Sequence, residues 1–197
     1  MPDTGWIAPG TVTGTDWTYT GGVSLLDAVT SDDEKWAQSA GTNVNYLICS
    51  NFGITLPAGA VIEGHEVRIR AAVLGAYVGT ALIGVRLSKD AANPTGNERT
   101  AVIDAYPPDV ENTLGSPTDL WAGGWIDTEV EDGNFALLIR LGTGSASVSN
   151  YQVEDVDVKV YYSEPSTGGG SICASGQMTY IPDICIKTMT GGIAKES

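Results

Sequence analysis

The sequence has few of the side chains that catalysis and metal binding require. It contains one histidine, His65, and three cysteines, Cys49, Cys173 and Cys185. A single histidine without a neighbouring serine or cysteine nucleophile does not form a catalytic triad, and it makes a poor zinc site. Three cysteines do not form the disulfide framework of a small secreted protein. We therefore expect a non-enzymatic protein without cofactor or metal, in which His65 has a structural role.

Basic residues are scarce as well. The chain has 10 Lys and Arg against 24 Asp and Glu, which gives a formal net charge of −14. Binding to nucleic-acid phosphates needs clustered basic side chains, and an anionic membrane surface would repel this chain. We therefore expect neither partner. The acidity favours docking on a basic protein surface, through binding that weakens as salt is added.

Long apolar runs are also missing. The first ten residues, MPDTGWIAPG, have neither a basic region nor an apolar core of the kind found in signal peptides. No apolar segment approaches the length of a membrane span. We expect the protein to be made in a cytoplasm without Sec export.

Most of the sequence patterns in this chain are typical of β-strands. Only Val23 to Val29 reads as a helical turn, whereas apolar and polar residues alternate strictly after the turn at Pro57 to Gly59. Such alternation is typical of a strand with one buried and one solvated face. It predicts that Ile69→Asp unfolds the domain and that Arg68→Asp is tolerated. The buried face holds Val67, Ile69, Ala71 and Val73, and the solvated face holds Glu66, Arg68 and Arg70.

Further strands recur at the spacing of a sandwich or barrel. We predict an all-β fold, an antiparallel β-sandwich or jelly roll. Lys89 to Arg99, residues 109–133 and Gly142 to Ser147 are interpreted as connections. The predicted strands are Val44 to Ser50, Ala81 to Leu87, Ala101 to Ala105, Phe135 to Leu141 and Val156 to Tyr162.

The composition changes after Tyr162. We predict a β-sandwich domain over 1–162, a flexible Gly/Ser linker over 163–171 and a C-terminal arm over 172–197. The arm is too apolar for a solvated tail and too short to bury itself, so we expect it to make intersubunit contacts. Its predicted partner-binding residues are Ile172, Met178, Tyr180, Ile181, Ile184 and Ile186.

Two acidic clusters could have a chemical role. Glu154, Asp155 and Asp157 lie in or near the last strand, and a second group spans 32–34. Paired carboxylates serve glycoside hydrolysis, and clustered carboxylates bind calcium. Alternation with Val156 places Asp155 and Asp157 on the solvated face, where acids are common. We interpret them as surface residues, with a surface calcium site as the alternative.

Tryptophans offer a second candidate site. Trp17, Trp36, Trp121 and Trp125 could form a platform on which sugars stack, and Trp121 and Trp125 in the 109–133 connection are the candidate ligand-facing pair. The commoner use of tryptophan is to cover the open ends of a sandwich.

The three cysteines are interpreted as structural residues. Cys49 is predicted to be a small buried hydrophobe in a central strand. Cys173 and Cys185 could face each other across a hairpin in the arm, although a reducing compartment disfavours a disulfide.

Four segments occur in an order that resembles a known group of proteins: NFGITLPAGAVIEGHEVRIR, DLWAGGW, DGNFALLIRL and VEDVDVKVYY. Between Ser39 and Tyr162 the chain resembles the β-sandwich, jelly-roll-like virion structural proteins of tailed bacteriophages. The resemblance implies a virion-associated structural protein, such as a head decoration protein or a tail or fibre component. It supplies no catalytic residues to transfer.

The leading hypothesis is therefore a capsid decoration (cement) protein that docks by its acidic sandwich and its C-terminal arm. Its partners would be major capsid or tail proteins, within an assembly that contains several copies of the chain, and its location the virion. The alternatives are a tail, neck or fibre component, or a module that binds glycans through its loop tryptophans. A glycosidase would need two carboxylates that face each other across a cleft.

Overall fold

The short, alternating apolar segments fold into strands throughout the first 163 residues. The structure is a computed structural model that describes residues 1–22, 24–30, 35–39, 45–75, 77–105, 110–165, 178–181 and 184–187. Within these residues the strands are β1 (Thr11–Thr13), β2 (Trp17–Thr20), β3 (Trp36–Ser39), β4 (Leu47–Ser50), β5 (Val61–Leu74), β6 (Ala81–Ser88), β7 (Pro94–Ile103), β8 (Val110–Ser116), β9 (Ala136–Leu141), β10 (Asn150–Ser163), β11 (Met178–Ile181) and β12 (Ile184–Lys187). The helices in this part of the chain are α1 (Leu25–Val29) and α2 (Asp127–Glu131), and neither has the length or hydropathy to cross a bilayer.

Ten of these strands form two antiparallel sheets. One sheet, here called sheet B, has the order β1-β4-β9-β6-β7, and the other, sheet A, has the order β2-β3-β10-β5-β8. Neighbours in sequence, such as β1 and β2 or β9 and β10, lie in different sheets, so the apolar inner faces of both sheets are built from the whole chain. The predicted all-β antiparallel sandwich is confirmed.

The alternation in β5 defines the inner face of sheet A. Val67, Ile69 and Ala71 are 0% exposed and Val73 is 1% exposed, as predicted. They pack in one hydrophobic core with the inward side chains of sheet B from β4, β6 and β9. Cys49 belongs to this core and is fully buried, which confirms its prediction as a small buried hydrophobe. Burial raises the pKa of its thiol above the usual range.

The outer face of sheet A is less solvated than the alternation predicts. Asp157 is 7% exposed and accepts hydrogen bonds from both Nε and Nη2 of Arg68. The ring of Trp6, in the N-terminal segment beside β10, lies over Arg68 and Lys159. The interpretation of Asp157 as a solvated surface acid is therefore wrong. Arg68→Asp would put a second carboxylate beside a buried one, so it is no longer expected to be tolerated.

A bulge interrupts the alternation in β10. The pairing of β10 with β5 shifts between Glu154 and Val156, and Asp155 adopts a positive φ of 47°. Glu154 is 2% exposed, and Asp155 is half-buried. An inserted residue of this kind cannot be seen in a strict period of two, which is why the solvated face was misassigned here.

β8, α2 and most of β7 were missed because their sequences are polar; only residues 101–103 of β7 fall in the predicted strand Ala101 to Ala105, and the interior strand β3 was missed as well. β7 covers much of the predicted connection Lys89 to Arg99, while β8 and α2 lie within the predicted excursion 109–133. β7 is the edge strand of sheet B and β8 the edge strand of sheet A. An edge strand has no neighbouring strand on one side and carries polar and charged side chains there, which prevent pairing with another chain. Such a strand lacks clear apolar alternation and is therefore not predicted from it.

The chain divides into two units, Met1–Glu164 and Pro165–Ser197. In the second unit β11 and β12 pair as an antiparallel hairpin, with Tyr180 opposite Cys185. Ile172 and Cys173, like the acidic group 32–34, lie outside the described residues. Met178, Tyr180 and Ile181 are in β11, and Ile184 and Ile186 are in β12. Their role in binding a partner stays a prediction.

A chain that ends at Ser163 should fold with almost the same melting temperature as the full chain. Every strand of sheets A and B ends by Ser163, and β11 hydrogen-bonds only to β12 among the described strands. Differential scanning calorimetry of the two chains checks this. A fall of more than about 5 °C would correspond to roughly 1 kcal/mol or more for a domain of this size and would show that residues 164–197 stabilise the sandwich.

Candidate functional site

The two tryptophans proposed as ligand-facing are both in the interior. Trp121 is 0% exposed, and its Nε1 donates to the carbonyl of His65 at 3.1 Å. Trp125 is 7% exposed, and its Nε1 donates to the carbonyl of Leu120 at 3.0 Å. Neither ring is open to a ligand, because both rings pack against the end of the core. Trp17 and Trp36 are likewise at most 7% exposed.

His65 completes an aromatic cluster with these rings. It is 0% exposed, 5.2 Å from Trp125 in an edge-to-face contact and 5.9 Å from Phe135 in a stacked one, measured between ring centroids. Neither ring nitrogen has a hydrogen-bond partner. Burial lowers the pKa of His65 to about 4, against a smaller opposing effect of Asp119. The imidazole is thus a neutral core residue, in agreement with the structural role expected for it.

Among the described residues, one concave surface lies on the outer side of sheet B. We call it the groove; its volume is about 460 Å³. It sits between the end of β1, the segment that leads into β4, and the loop from β6 to β7. Ile48 of β4 forms part of its wall beside Tyr46. The lining residues are Thr13, Gly14, Thr15, Asn45, Tyr46, Ile48, Ala91 and Ala92.

Hydrogen bonds hold the Asn45 side of the groove in place. The side-chain amide of Asn45 donates to Asp16 at 2.8 Å and to Thr15 at 3.1 Å, and its backbone N–H donates to Asp16 at 2.9 Å. The indole N–H of Trp17 donates to the carbonyl of Asn45 at 2.9 Å. Residues from two distant segments are therefore fixed to one another before any ligand arrives.

The opposite side of the groove is a loop organised by Asp90. Its carboxylate accepts hydrogen bonds from the backbone N–H groups of Ala92 at 3.0 Å and Asn93 at 2.7 Å, and from the hydroxyl of Ser88 at 3.0 Å. These bonds, with one from the Asn93 side chain, hold the pKa of Asp90 far below its usual range. The loop can turn sharply because Ala91 adopts a φ of 55°. Ala91 and Ala92 thereby face the groove.

Tyr46 is the aromatic residue among the described lining of the groove, and the guanidinium of Arg140 in β9 lies over its ring. The guanidinium carbon of Arg140 lies 4.5 Å from the centroid of the Tyr46 ring. Because Ile48 pairs with Leu138, continuing the antiparallel register places Tyr46 opposite Arg140. Both side chains are half-buried. Arg140 therefore lies next to a residue of the groove wall, on the outer face of sheet B.

The same face carries an ion pair on the next strands. Arg86 of β6 lies 3.7 Å from Glu98 of β7, measured from Nε to Oε1. The other oxygen of Glu98 accepts from the backbone N–H of Thr143 at 3.0 Å. Gly84, which pairs with Arg140, leaves the space in which the Glu98 carboxylate lies. Charged groups thus continue the polar surface beyond Arg140.

The composition of the groove favours binding over chemistry. Its described lining residues offer hydroxyls, an amide, one aromatic ring and small apolar side chains, without a carboxylate, histidine or cysteine. In the part of the chain that the structure describes, no group of three His, Cys, Asp or Glu side chains is arranged to hold a metal ion. Polar groups that orient a ligand within a largely apolar cleft are typical of small-molecule sites.

Sequence reasoning missed the groove because its residues are scattered. Asn45 and Tyr46 fall in the predicted strand Val44 to Ser50, and Ala91 and Ala92 fall in the predicted connection Lys89 to Arg99. A tyrosine directly before an apolar strand, with an arginine in the strand that pairs with it, was the one available signal. That pairing could not be known from either segment alone.

No protein-family model matches the sequence, and no curated protein is significantly similar to it. Among solved structures, the chain is similar to the CBM22-1 and GH10 modules of Clostridium thermocellum endo-1,4-beta-D-xylanase 10B complexed with xylohexaose, at 14% identity and a TM-score of 0.43 over 83% of this chain and 27% of that one. The chain thus spans about a quarter of the length of that protein.

Two shorter structures are similar over most of their length. The CBM22-1 xylan-binding domain of Paenibacillus barcinonensis Xyn10C matches at 12% identity and a TM-score of 0.40, over 81% of this chain and 87% of that domain. The EclA C-terminal domain, a sugar-binding protein, matches at 10% identity and a TM-score of 0.36, over 70% of this chain and 84% of that one. TM-scores this low do not assign a ligand or a family. They also give no support to the resemblance with phage virion proteins.

Proposed function

We propose that the protein is a non-catalytic module that binds an oligosaccharide in the groove. The observation that carries this proposal is the placement of the half-buried Tyr46 ring beside the hydroxyls of Thr13 and Thr15 in a cleft of about 460 Å³. A sugar presents an apolar face of C–H groups and a rim of hydroxyls. An aromatic ring matches the first and hydroxyl side chains match the second.

The size and rigidity of the groove support this ligand class. Small-molecule sites usually have volumes of about 300–1,000 Å³, a range that includes the groove. Asn45 is held by Asp16 and Thr15, and the loop opposite is held by Asp90. A preformed site loses less conformational entropy when the ligand binds, and this matters for weakly binding neutral sugars.

A binding role is preferred to hydrolysis for a chemical reason. Glycosidases place two carboxyl groups about 5–10 Å apart on either side of the scissile bond. The described lining of the groove has no carboxylate, and the nearby acids are already engaged: Asp16 with Asn45, and Asp90 with its own loop. The groove can hold a sugar but lacks the pair that would cleave it.

Tyr46→Ala should lower affinity for the bound oligosaccharide by about tenfold or more, which corresponds to about 1.4 kcal/mol. The measurement is a glycan array with the full chain, followed by isothermal titration calorimetry of the strongest ligand. The matched control is Tyr19→Ala, because Tyr19 is 48% exposed in β2 of the other sheet and should leave affinity unchanged.

Blocking the groove gives an independent check. Ala92→Phe should also reduce binding, because Ala92 is an exposed residue of the groove wall. If Tyr46→Ala and Ala92→Phe bind as well as the unaltered chain, the site lies elsewhere. If no glycan on the array binds, the proposed function is wrong.

The predicted place in a phage particle stays a prediction, since nothing in the groove bears on it. The same holds for the predicted partners, major capsid or tail proteins. Cryo-electron microscopy of a particle that contains this chain would locate it and show what its C-terminal segment contacts.

A further inference from the structure

Arg140 differs from the other arginines in its surroundings. Among the described residues, it is the one arginine with no carboxylate oxygen within 4.0 Å of its guanidinium. The chain has 24 acidic and 10 basic residues, so acceptors for such a pair are plentiful. The four paired arginines and their partners are Arg68 with Asp157, Arg70 with Glu111, Arg86 with Glu98, and Arg99 with Asp119.

The contact that Arg140 does make leaves its hydrogen-bond donors unused. Its guanidinium lies over the Tyr46 ring at 4.5 Å. This contact uses none of the guanidinium N–H groups as hydrogen-bond donors. Tyr46 lines the groove, so the guanidinium lies next to a residue of its wall. A ligand that contacts Tyr46 from the groove therefore lies close to a half-buried cation.

The acid on the adjoining strands does not neutralise Arg140. Glu98 is held by Arg86 at 3.7 Å and by the backbone N–H of Thr143 at 3.0 Å. Gly84, the residue that pairs with Arg140 in β6, has no side chain, and the Glu98 carboxylate lies over it without forming an ion pair with Arg140. Arg140 is thus a half-buried guanidinium without a carboxylate partner among the described residues.

We infer that the groove selects an acidic glycan and that Arg140 binds the carboxylate of the sugar that lies against Tyr46. This inference rests on the proposed function and adds the class of its ligand. A carboxylate can accept two parallel N–H groups from one guanidinium, which gives both affinity and a defined orientation. With a neutral sugar bound, the N–H groups of the guanidinium would hydrogen-bond to water and not to a carboxylate. The net charge of the protein repels acidic glycans in general, so the local arginine must supply the specificity.

The test uses the full chain and an array of oligosaccharides in matched pairs that differ only in a carboxylate, such as a uronic acid against its parent hexose, or a sialylated glycan against its carboxyl-reduced form. Calorimetry then measures affinity for the best pair. We expect the carboxylated member to bind at least tenfold more tightly. Arg140→Gln should abolish that preference, and Arg140→Lys should restore part of it. Arg70→Gln, on the outer face of sheet A, is the matched control and should retain the preference.

The alternative outcomes separate the two proposals. If only neutral glycans bind, or if both members of each pair bind equally, the inference about Arg140 is overturned while the glycan-binding function stands. The inference is overturned in the same way if Arg140→Gln keeps the full preference. If no glycan of either kind binds, the proposed function fails and the inference fails with it.

Discussion

Replacing Ile69 with aspartate should unfold the sandwich or reduce its stability by several kcal/mol. Ile69 is 0% exposed in β5 and lies between Asn112 of β8 and Val156 of β10. The change removes a buried apolar side chain and places an unpaired carboxylate in the core. Each effect costs on the order of 2 kcal/mol or more, against a total stability of about 5–15 kcal/mol.

The control for this variant is Val61→Asp in the same strand. Val61 is 57% exposed, so the same chemical change meets water and should alter stability by less than about 1 kcal/mol. Urea denaturation of both variants, followed by circular dichroism, measures the difference. Equal loss of stability in the two would mean that the inner face of β5 is assigned wrongly.

Stability should fall by on the order of 3 kcal/mol as the pH is lowered from 7 to about 4, because of His65. Burial lowers its pKa in the folded protein to about 4, from 6.5. Between these values the unfolded chain takes up a proton that the folded protein does not, so acid favours unfolding throughout this window. The contribution of neutral, buried His65 is therefore fully present above pH 6.5 and is lost as the pH falls toward 4.

The variant His65→Phe should remove most of this pH dependence. A phenyl ring fits the surroundings, because the imidazole already packs between Trp125 and Phe135. The free energy of unfolding, measured in urea at pH 7, 6, 5 and 4.5, should change much less with pH in the variant. The lowered pKa values of Asp90 and Asp119 affect stability only as the pH falls through and below about 3.8, so they do not obscure the comparison. An unaltered slope in His65→Phe would contradict this account.

The edge strands show where sequence reasoning was least effective. β5, β6, β9 and β10 lie inside their sheets and were found from apolar alternation, and β4 was found because its segment is apolar on both faces. β3 also lies inside its sheet but was missed. β7 and β8 lie at the edges, and their polar residues looked like connections. Apolar and polar residues alternate where one face of a strand is buried in the core. An edge strand has fewer buried side chains, so its alternation is weaker and the strand is harder to recognise.

Burial also decided between the two uses considered for the tryptophans, in favour of packing at the end of the sandwich. Trp121 and Trp125 lie in a turn-rich segment, which made exposure plausible. In the fold, His65 and Phe135 enclose Trp125, and the carbonyl of His65 accepts the indole N–H of Trp121. The contacts of His65 with Trp121 and Trp125 join residues more than fifty positions apart in sequence, so no local pattern could predict them.

The sequence by itself determined the class of fold and the inward face of β5. Both follow from the alternation of side chains along a strand, which is a local property of the backbone. Only the tertiary structure decided that a groove exists and that Arg140 borders it. Its walls come from Thr13, Asn45 and Ala92, and Tyr46 meets Arg140 only because β4 pairs with β9. Strand pairing depends on the whole chain, so the groove could not be predicted from any of these segments alone.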